Sequence, residues 1–278
     1  MRRRSGFDFC QCRWMLQLVA VATMLPGIAL AVEIVAHRGA SYDAPENTLP
    51  AVRLGWERGS DAVEVDIHQT RDGWIVAIHD QGTERVTGRS GLVAESSLAD
   101  LQRLDAGAWK GERWTGTRIP TLAEVLETVP AGKTLVVEIK CPSAVLEELE
   151  RVLDASGKRG QVMLIAFEYE TIREAKRRMP DLPCYWLYGF SSREAESYKV
   201  AAPGDLVERM ERAGLDGLDV RHDGAWVPEL ARSLNSLGKK MYVYTVNSGR
   251  QARWLAEVGV TGITTDRPAF LRRAIEGN

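Results

Sequence analysis

The sequence predicts an α/β fold, a (β/α)8 TIM barrel with a small cap insertion between its second and third strands. Three observations predict it: the length, an alternation of β-rich runs with helical patterns, and the lack of nucleotide-binding fingerprints. The chain has 278 residues, and a barrel of this kind takes roughly 250. Eight β-rich runs occur at 33–36, 62–67, 135–139, 162–167, 184–187, 215–220, 241–246 and 261–264. Helical patterns lie between them, at 48–58, 122–129, 144–155, 169–178, 203–213, 228–237 and 250–256. Strands alternating with helices imply βαβ units and a parallel sheet, and eight units favour closure over an open sheet. Neither GxGxxG nor GxxxxGK[ST] occurs, so open nucleotide-binding folds lack their signature.

The second connection departs from the pattern. An added strand is expected at 75–78, and the stretch 80–121 is too long for one helix. It is rich in Gly, Thr and charge and carries Trp109 and Trp114. Long loops in compact domains are commonly functional. This one follows a strand, which puts it over the C-terminal face where barrels do their chemistry.

The N-terminus reads as an export signal. Arg2, Arg3 and Arg4 precede an apolar run at 14–31 that ends in Ala29-Leu30-Ala31, the order of a cleavable signal peptide. Arg3-Arg4 adds a weak twin-arginine hint. The alternative is a retained anchor, since about 20 apolar residues can span a bilayer, but Gln17 and Pro26 interrupt the run. The expected division is a signal over 1–31 and a barrel over 32–278, placed in the periplasm or secreted, with no stable membrane insertion after cleavage. Past residue 31 the chain has 32 basic and 37 acidic side chains. No basic field suggests a nucleic-acid partner. Cys141 and Cys184 remain after cleavage, without metal-type spacing, and are expected as free thiols. The oligomeric state is not legible.

The candidate chemistry sits in two strands. Side chains alternate faces along a strand. In Ala62-Val63-Glu64-Val65-Asp66-Ile67, the three apolar residues from Val63 face the helices, while Glu64 and Asp66 face the barrel axis. In Leu135-Val136-Val137-Glu138-Ile139-Lys140, Glu138 and Lys140 share the inward face. Carboxylates brought together in a partly dry site repel, so one takes a proton or a cation sits between them. Oxygen ligands suit Mg2+ or Ca2+. A structural ion network with Lys140 and Arg38 is the alternative at this point.

Of four histidines, His37 and His79 end apolar runs at the expected strand tops. Imidazoles exchange protons in both directions near neutral pH. His68, expected to point outward, and His222 receive no role.

Taken in order, the motifs resemble the glycerophosphodiester phosphodiesterase family. They are His37-Arg38-Gly39, Pro45-Glu46-Asn47-Thr48, Glu64-Val65-Asp66, His79-Asp80, Leu104-Asp105-Ala106-Gly107, Ile119-Pro120-Thr121-Leu122, Glu138-Ile139-Lys140, Thr245-Val246-Asn247 and Thr265-Asp266-Arg267-Pro268. Each is short; their order and spacing carry the resemblance. It implies a metal on Glu64, Asp66 and Glu138, and His37 and His79 as the acid–base pair, with His79 alternatively a metal ligand. It also implies Arg38 and Lys140 on the substrate phosphate, and Glu46 and Asn47 close by. The Tyr244 position usually holds Trp in the family. The implied activity is metal-dependent hydrolysis of a small glycerophosphodiester to sn-glycerol 3-phosphate and an alcohol. Two alternatives stand beside it. One is a lysophospholipase D-like enzyme with Phe167, Trp186, Tyr188 and Trp226 lining an acyl groove. The other is an inactive phosphate-binding domain.

Overall fold

The structure, a computed structural model, describes residues 32–277; the expected export signal lies outside them. Nine strands form one sheet: β1 (Glu33–Ala36), β2 (Ala62–Gln69), β3 (Ile75–Ala77), β4 (Thr134–Ile139), β5 (Val162–Ala166), β6 (Cys184–Tyr188), β7 (Gly217–Arg221), β8 (Lys240–Tyr244) and β9 (Gly262–Thr265). β1 pairs in parallel with both β2 and β9, and the remaining parallel neighbours follow chain order apart from β3. Eight parallel strands therefore close into a barrel. β3 runs antiparallel to the upper end of β2, Ile67 opposite Ala77, where β2 extends past the short β1. The expected eight strands and the added ninth are all present, with ends displaced by at most two residues. Among the described residues the structure adds four α-helices to those expected: Glu84–Thr87 and Leu98–Leu101 in the insertion, and Ser192–Ser197 and Pro268–Glu276.

Alternation divides the apolar residues into two shells. Val63, Val65, Ile67, Leu135, Val137, Trp186 and Tyr188 join the helices in the outer core. Val35, Ala62, Val136, Met163, Ile165, Tyr185, Leu187 and Tyr242 fill the barrel interior. The interior is thus an apolar plug, and the inward acids Glu64, Asp66 and Glu138 lie toward the strand tops. Trp186 and Tyr188 are fully buried in the outer shell, which removes them from the acyl groove of the alternative reading; β6 turns its even residues away from the axis.

The insertion has its own small core of Val76, Ile78, Val86, Val93, Leu101, Ala106 and Ile119. Asp105 pins it, accepting backbone N–H bonds from Gly107 at 2.8 Å, Ala108 at 3.0 Å and Gly116 at 2.7 Å. Thr121 closes it with a capping box to Glu124 on the next helix, Leu122–Glu127. Cys141 and Cys184 are free; burial pushes their thiols up to about 11 and about 12. Among the described residues no helix is long and apolar enough to cross a membrane.

Candidate active site at the barrel mouth

Register places the carboxylates. β2 and β4 pair with Asp66 opposite Glu138 and Glu64 opposite Val136, so the three acids occupy adjoining rows just above the apolar plug. All three are buried. One oxygen from each lies within 4.8 Å of the others. Glu64 Oε1 and Asp66 Oδ1 have no hydrogen-bond partner. Burial pushes the Glu64 and Glu138 carboxyls up, reinforced by the charge of Asp66; Glu138 reaches about 7. Burial opposes ionisation of Asp66 as well, but Arg38, Lys140 and other neighbours outweigh it and hold that carboxyl below its usual range. Three buried acids with two orphaned oxygens form an unbalanced charge cluster. A hard divalent cation with oxygen ligands balances it, so the donor set fits the metal that the sequence implied.

The cationic side chains approach from two sides. Arg38 follows β1; its Nε lies 3.1 Å from Asp66 Oδ2, its Nη1 donates to Glu46 Oε1 at 2.9 Å, and its backbone N–H donates to Glu64 Oε2 at 2.7 Å. Lys140 follows β4; its Nζ donates to Glu138 Oε1 at 2.9 Å and lies 3.7 Å from Asp66 Oδ1. Asn47 grips Asp66 twice. Its Nδ2 donates to Oδ2 at 2.8 Å, and its Oδ1 accepts from the Asp66 backbone N–H at 3.0 Å. Arg38 and Asn47 both have positive φ, 53° and 56°, a costly conformation outside glycine. Their bonds to the buried acids hold them there.

Each histidine is steadied by a carboxylate at Nδ1. His37 Nδ1 lies 2.7 Å from Asp266 Oδ1. Asp266 also accepts from Ser41 Oγ at 2.9 Å and Asn247 Nδ2 at 2.6 Å. Burial would raise that carboxyl, but the bond from His37 and its other partners hold it well below the usual range. His79 Nδ1 lies 2.6 Å from Asp80 Oδ1, and its Nε2 lies 3.1 Å from Lys140 Nζ. An ammonium only donates, so His79 Nε2 accepts and Nδ1 carries the proton toward Asp80. Burial pushes this imidazole down, which favours the neutral ring.

All nine residues singled out in the sequence are near this mouth: the acids, Arg38, Lys140, Glu46, Asn47 and both histidines. One expectation is corrected. His68 shares the even, inward side of β2 and is buried, its Nε2 3.1 Å from the His79 carbonyl oxygen. It braces the segment carrying His79 instead of pointing outward. Sequence reasoning gave no role to Asp266 or Asp80, although both stand in the quoted motifs; for Asp80, its place next to a strand-end histidine was the available signal, while Asp266 meets His37 only across the fold. Asp219, fully buried on β7 with Oδ1 unpartnered, carried none. Tyr244 faces the same interior, its ring edge-on to Phe167 at a centroid distance of 5.8 Å.

A closed parallel barrel with this mouth defines a hydrolase of phosphate diesters. The match is specific: a model of the Glycerophosphoryl diester phosphodiesterase family covers residues 37–270, and this chain belongs to that family. The glycerophosphodiester phosphodiesterase of Caldanaerobacter subterraneus subsp. tengcongensis is 32% identical over 244 residues, 86% of this chain and 95% of the relative. An Oleispira antarctica phosphodiesterase, solved in complex with the product sn-glycerol-3-phosphate, matches with a TM-score of 0.74 at 29% identity, over 88% of this chain and 96% of that one. The Thermotoga maritima glycerophosphodiester phosphodiesterase matches with a TM-score of 0.69 at 25% identity, over 86% of this chain and 96% of that one.

Proposed function

We propose that this chain hydrolyses small glycerophosphodiesters to sn-glycerol 3-phosphate and an alcohol, with Glu64, Asp66 and Glu138 holding Mg2+ or Ca2+. The observation that carries the reading is the buried carboxylate trio with its two orphaned oxygens, bordered by a histidine that bonds the phosphate-type cation Lys140.

A phosphodiester is a monoanion whose charge spreads over the equatorial oxygens as the nucleophile arrives. Arg38 presents a planar donor fork and Lys140 a point charge to those oxygens. A bound cation supplies polarisation of a phosphoryl oxygen and alignment of the nucleophile. His37 and His79 exchange protons with the reacting oxygens: one takes the proton of the attacking hydroxyl or water, the other gives a proton to the departing alkoxide. Asp266 and Asp80 fix the ring orientations through Nδ1, so the exchange falls to Nε2 of each imidazole, which on His79 accepts from Lys140 Nζ before substrate arrives. Asn47 keeps Asp66 from turning.

The test is a metal-by-substrate screen on purified protein, reading glycerol 3-phosphate release from a panel of glycerophosphodiesters. Activity is expected with a divalent ion, is lost with EDTA, and falls about 10²- to 10⁴-fold in His37→Ala. Full turnover by metal-free protein would sink the metal assignment. We also propose that the chain is exported and cleaved after Ala31, on the strength of the basic, apolar and Ala-Leu-Ala order at the N-terminus. Intact mass of the exported product checks this; a mass retaining residues 1–31 overturns cleavage.

A further inference from the structure

Arg85 stands on the short cap helix Glu84–Thr87, outside every motif that marks the site. Its guanidinium meets two carboxylates. Nη1 donates to Glu46 Oε2 at 3.0 Å and Nη2 to Glu46 Oε1 at 2.8 Å, while Nε donates to Asp80 Oδ2 at 2.6 Å. Each carboxylate spends its other contact on a site residue. Glu46 Oε1 takes Arg38 Nη1 at 2.9 Å, and Asp80 Oδ1 takes His79 Nδ1 at 2.6 Å. A single cap side chain thus joins the two ends of the chemistry, the acid–base imidazole and the phosphate-facing guanidinium.

We propose that Arg85 is a positioning residue that orients His79 through Asp80 and Arg38 through Glu46, so that the cap helps set the active-site geometry. This rests on the roles given to His79 and Arg38 above. The bland reading is a surface ion pair, since the Arg85 side chain is 45% exposed and isolated exposed pairs contribute little. Three features argue against it. The contact to Glu46 is two-pronged, which a guanidinium makes and an ammonium cannot. Glu46 is itself only 12% exposed and already carries a second arginine. Both carboxylates also stay ionised: although burial opposes it, bonds from Arg85 and His79 bring Asp80 down to about 2, and Arg85 with Arg38 lowers Glu46.

The experiment compares Arg85→Ala, Asp80→Asn, Glu46→Gln and the doubles Arg85→Ala/Asp80→Asn and Arg85→Ala/Glu46→Gln, with metal present and folding followed by thermal melting. Asp80→Asn is expected to lower kcat with little change in KM. Glu46→Gln is expected to raise KM more than it lowers kcat. Arg85→Ala shows both effects, with kcat/KM down roughly ten- to a hundredfold, the scale seen when a partner behind a ligating group is removed. Each double variant falls well short of the product of its singles, because both changes break one linkage. Added guanidinium ion restores part of the activity of Arg85→Ala, and Arg85→Lys recovers less than the native residue. An Arg85→Ala protein with native kcat and KM, or with losses that multiply with those of its neighbours and do not respond to guanidinium, overturns the proposal. A native chain that turns over no glycerophosphodiester with any metal would instead overturn the functional reading on which it rests.

Discussion

Asp266 shows what one carboxylate does for this site. It holds the His37 ring through Nδ1 and is itself held by Ser41 and Asn247. Asp266→Asn keeps the shape but removes the charge facing the imidazole. The expected result is a fall in kcat of roughly ten- to a hundredfold, the scale typical of partners that orient reacting or ligating imidazoles, in a folded protein whose melting temperature near neutral pH is lowered. Steady-state kinetics at saturating substrate checks this, and an unaltered kcat refutes the orienting role. The same bonds make a pH prediction. The Asp266 carboxyl is held well below its usual range by His37 and its neighbours, against the opposing effect of burial. A depressed carboxyl contributes stability that is present above its unfolded value, about 3.9, and is lost as pH falls through the folded value. Acid melting curves of the native and Asp266→Asn proteins are expected to converge at low pH. Curves that stay parallel down to the acid limit would show that the carboxylate adds nothing.

At the scale of elements, the turn after β1 controls where His37 and Arg38 sit. Gly39 has φ of 79°, and a Cβ there would stand 2.4 Å from the Ala51 backbone carbon on the helix Leu49–Glu57. Both the left-handed backbone and the contact exclude a side chain. Gly39→Ala is expected to destabilise the protein by more than about 1 kcal/mol and to lower activity by displacing Arg38. Denaturant melts and kinetics together test it; a variant with native stability would mean that the turn has room to relax. β2 teaches a complementary point. From Val63 to His68 its odd residues are apolar and its even residues polar, so the inward turn of Glu64 and Asp66 was legible from alternation alone. The same parity applied to His68, and an outward expectation for it ignored that rule.

The whole molecule feels the carboxylate trio as a charge problem. Glu138 is raised to about 7, chiefly by burial and then by Asp66. For a raised carboxyl the sign runs opposite to Asp266. Its contribution to stability is full below the unfolded value of about 4.3 and is lost as pH rises through about 7. Metal-free protein is therefore expected to melt at a lower temperature at pH 8 than at pH 6. A saturating divalent cation supplies the missing counter-charge, raises the melting temperature and removes most of that pH dependence. Scanning calorimetry with EDTA and with added Mg2+ or Ca2+ tests this. A metal-free melting temperature that is flat from pH 6 to pH 8 would contradict the arrangement of the trio.

The barrel and most of its mouth are legible in the order of residues along the chain. Periodicity is local, so eight alternating runs disclose eight strands, and parity along β2 and β4 discloses which carboxylates face the axis. The residues next to strand ends follow from the same count, which puts His37, His79, Arg38 and Lys140 at the strand tops. The contacts made across the barrel and across the insertion come instead from the three-dimensional fold. His37 meets Asp266 across 229 positions of chain, through the pairing of β1 with β9. Arg85 meets Glu46 across 39, through the fold of the cap. Trp186 and Tyr188, aromatic residues that composition alone could place at a substrate groove, prove to be outer core because β6 turns them away from the axis. Such contacts depend on closure and register, which arise from the summed packing of distant segments. No short window of residues encodes them.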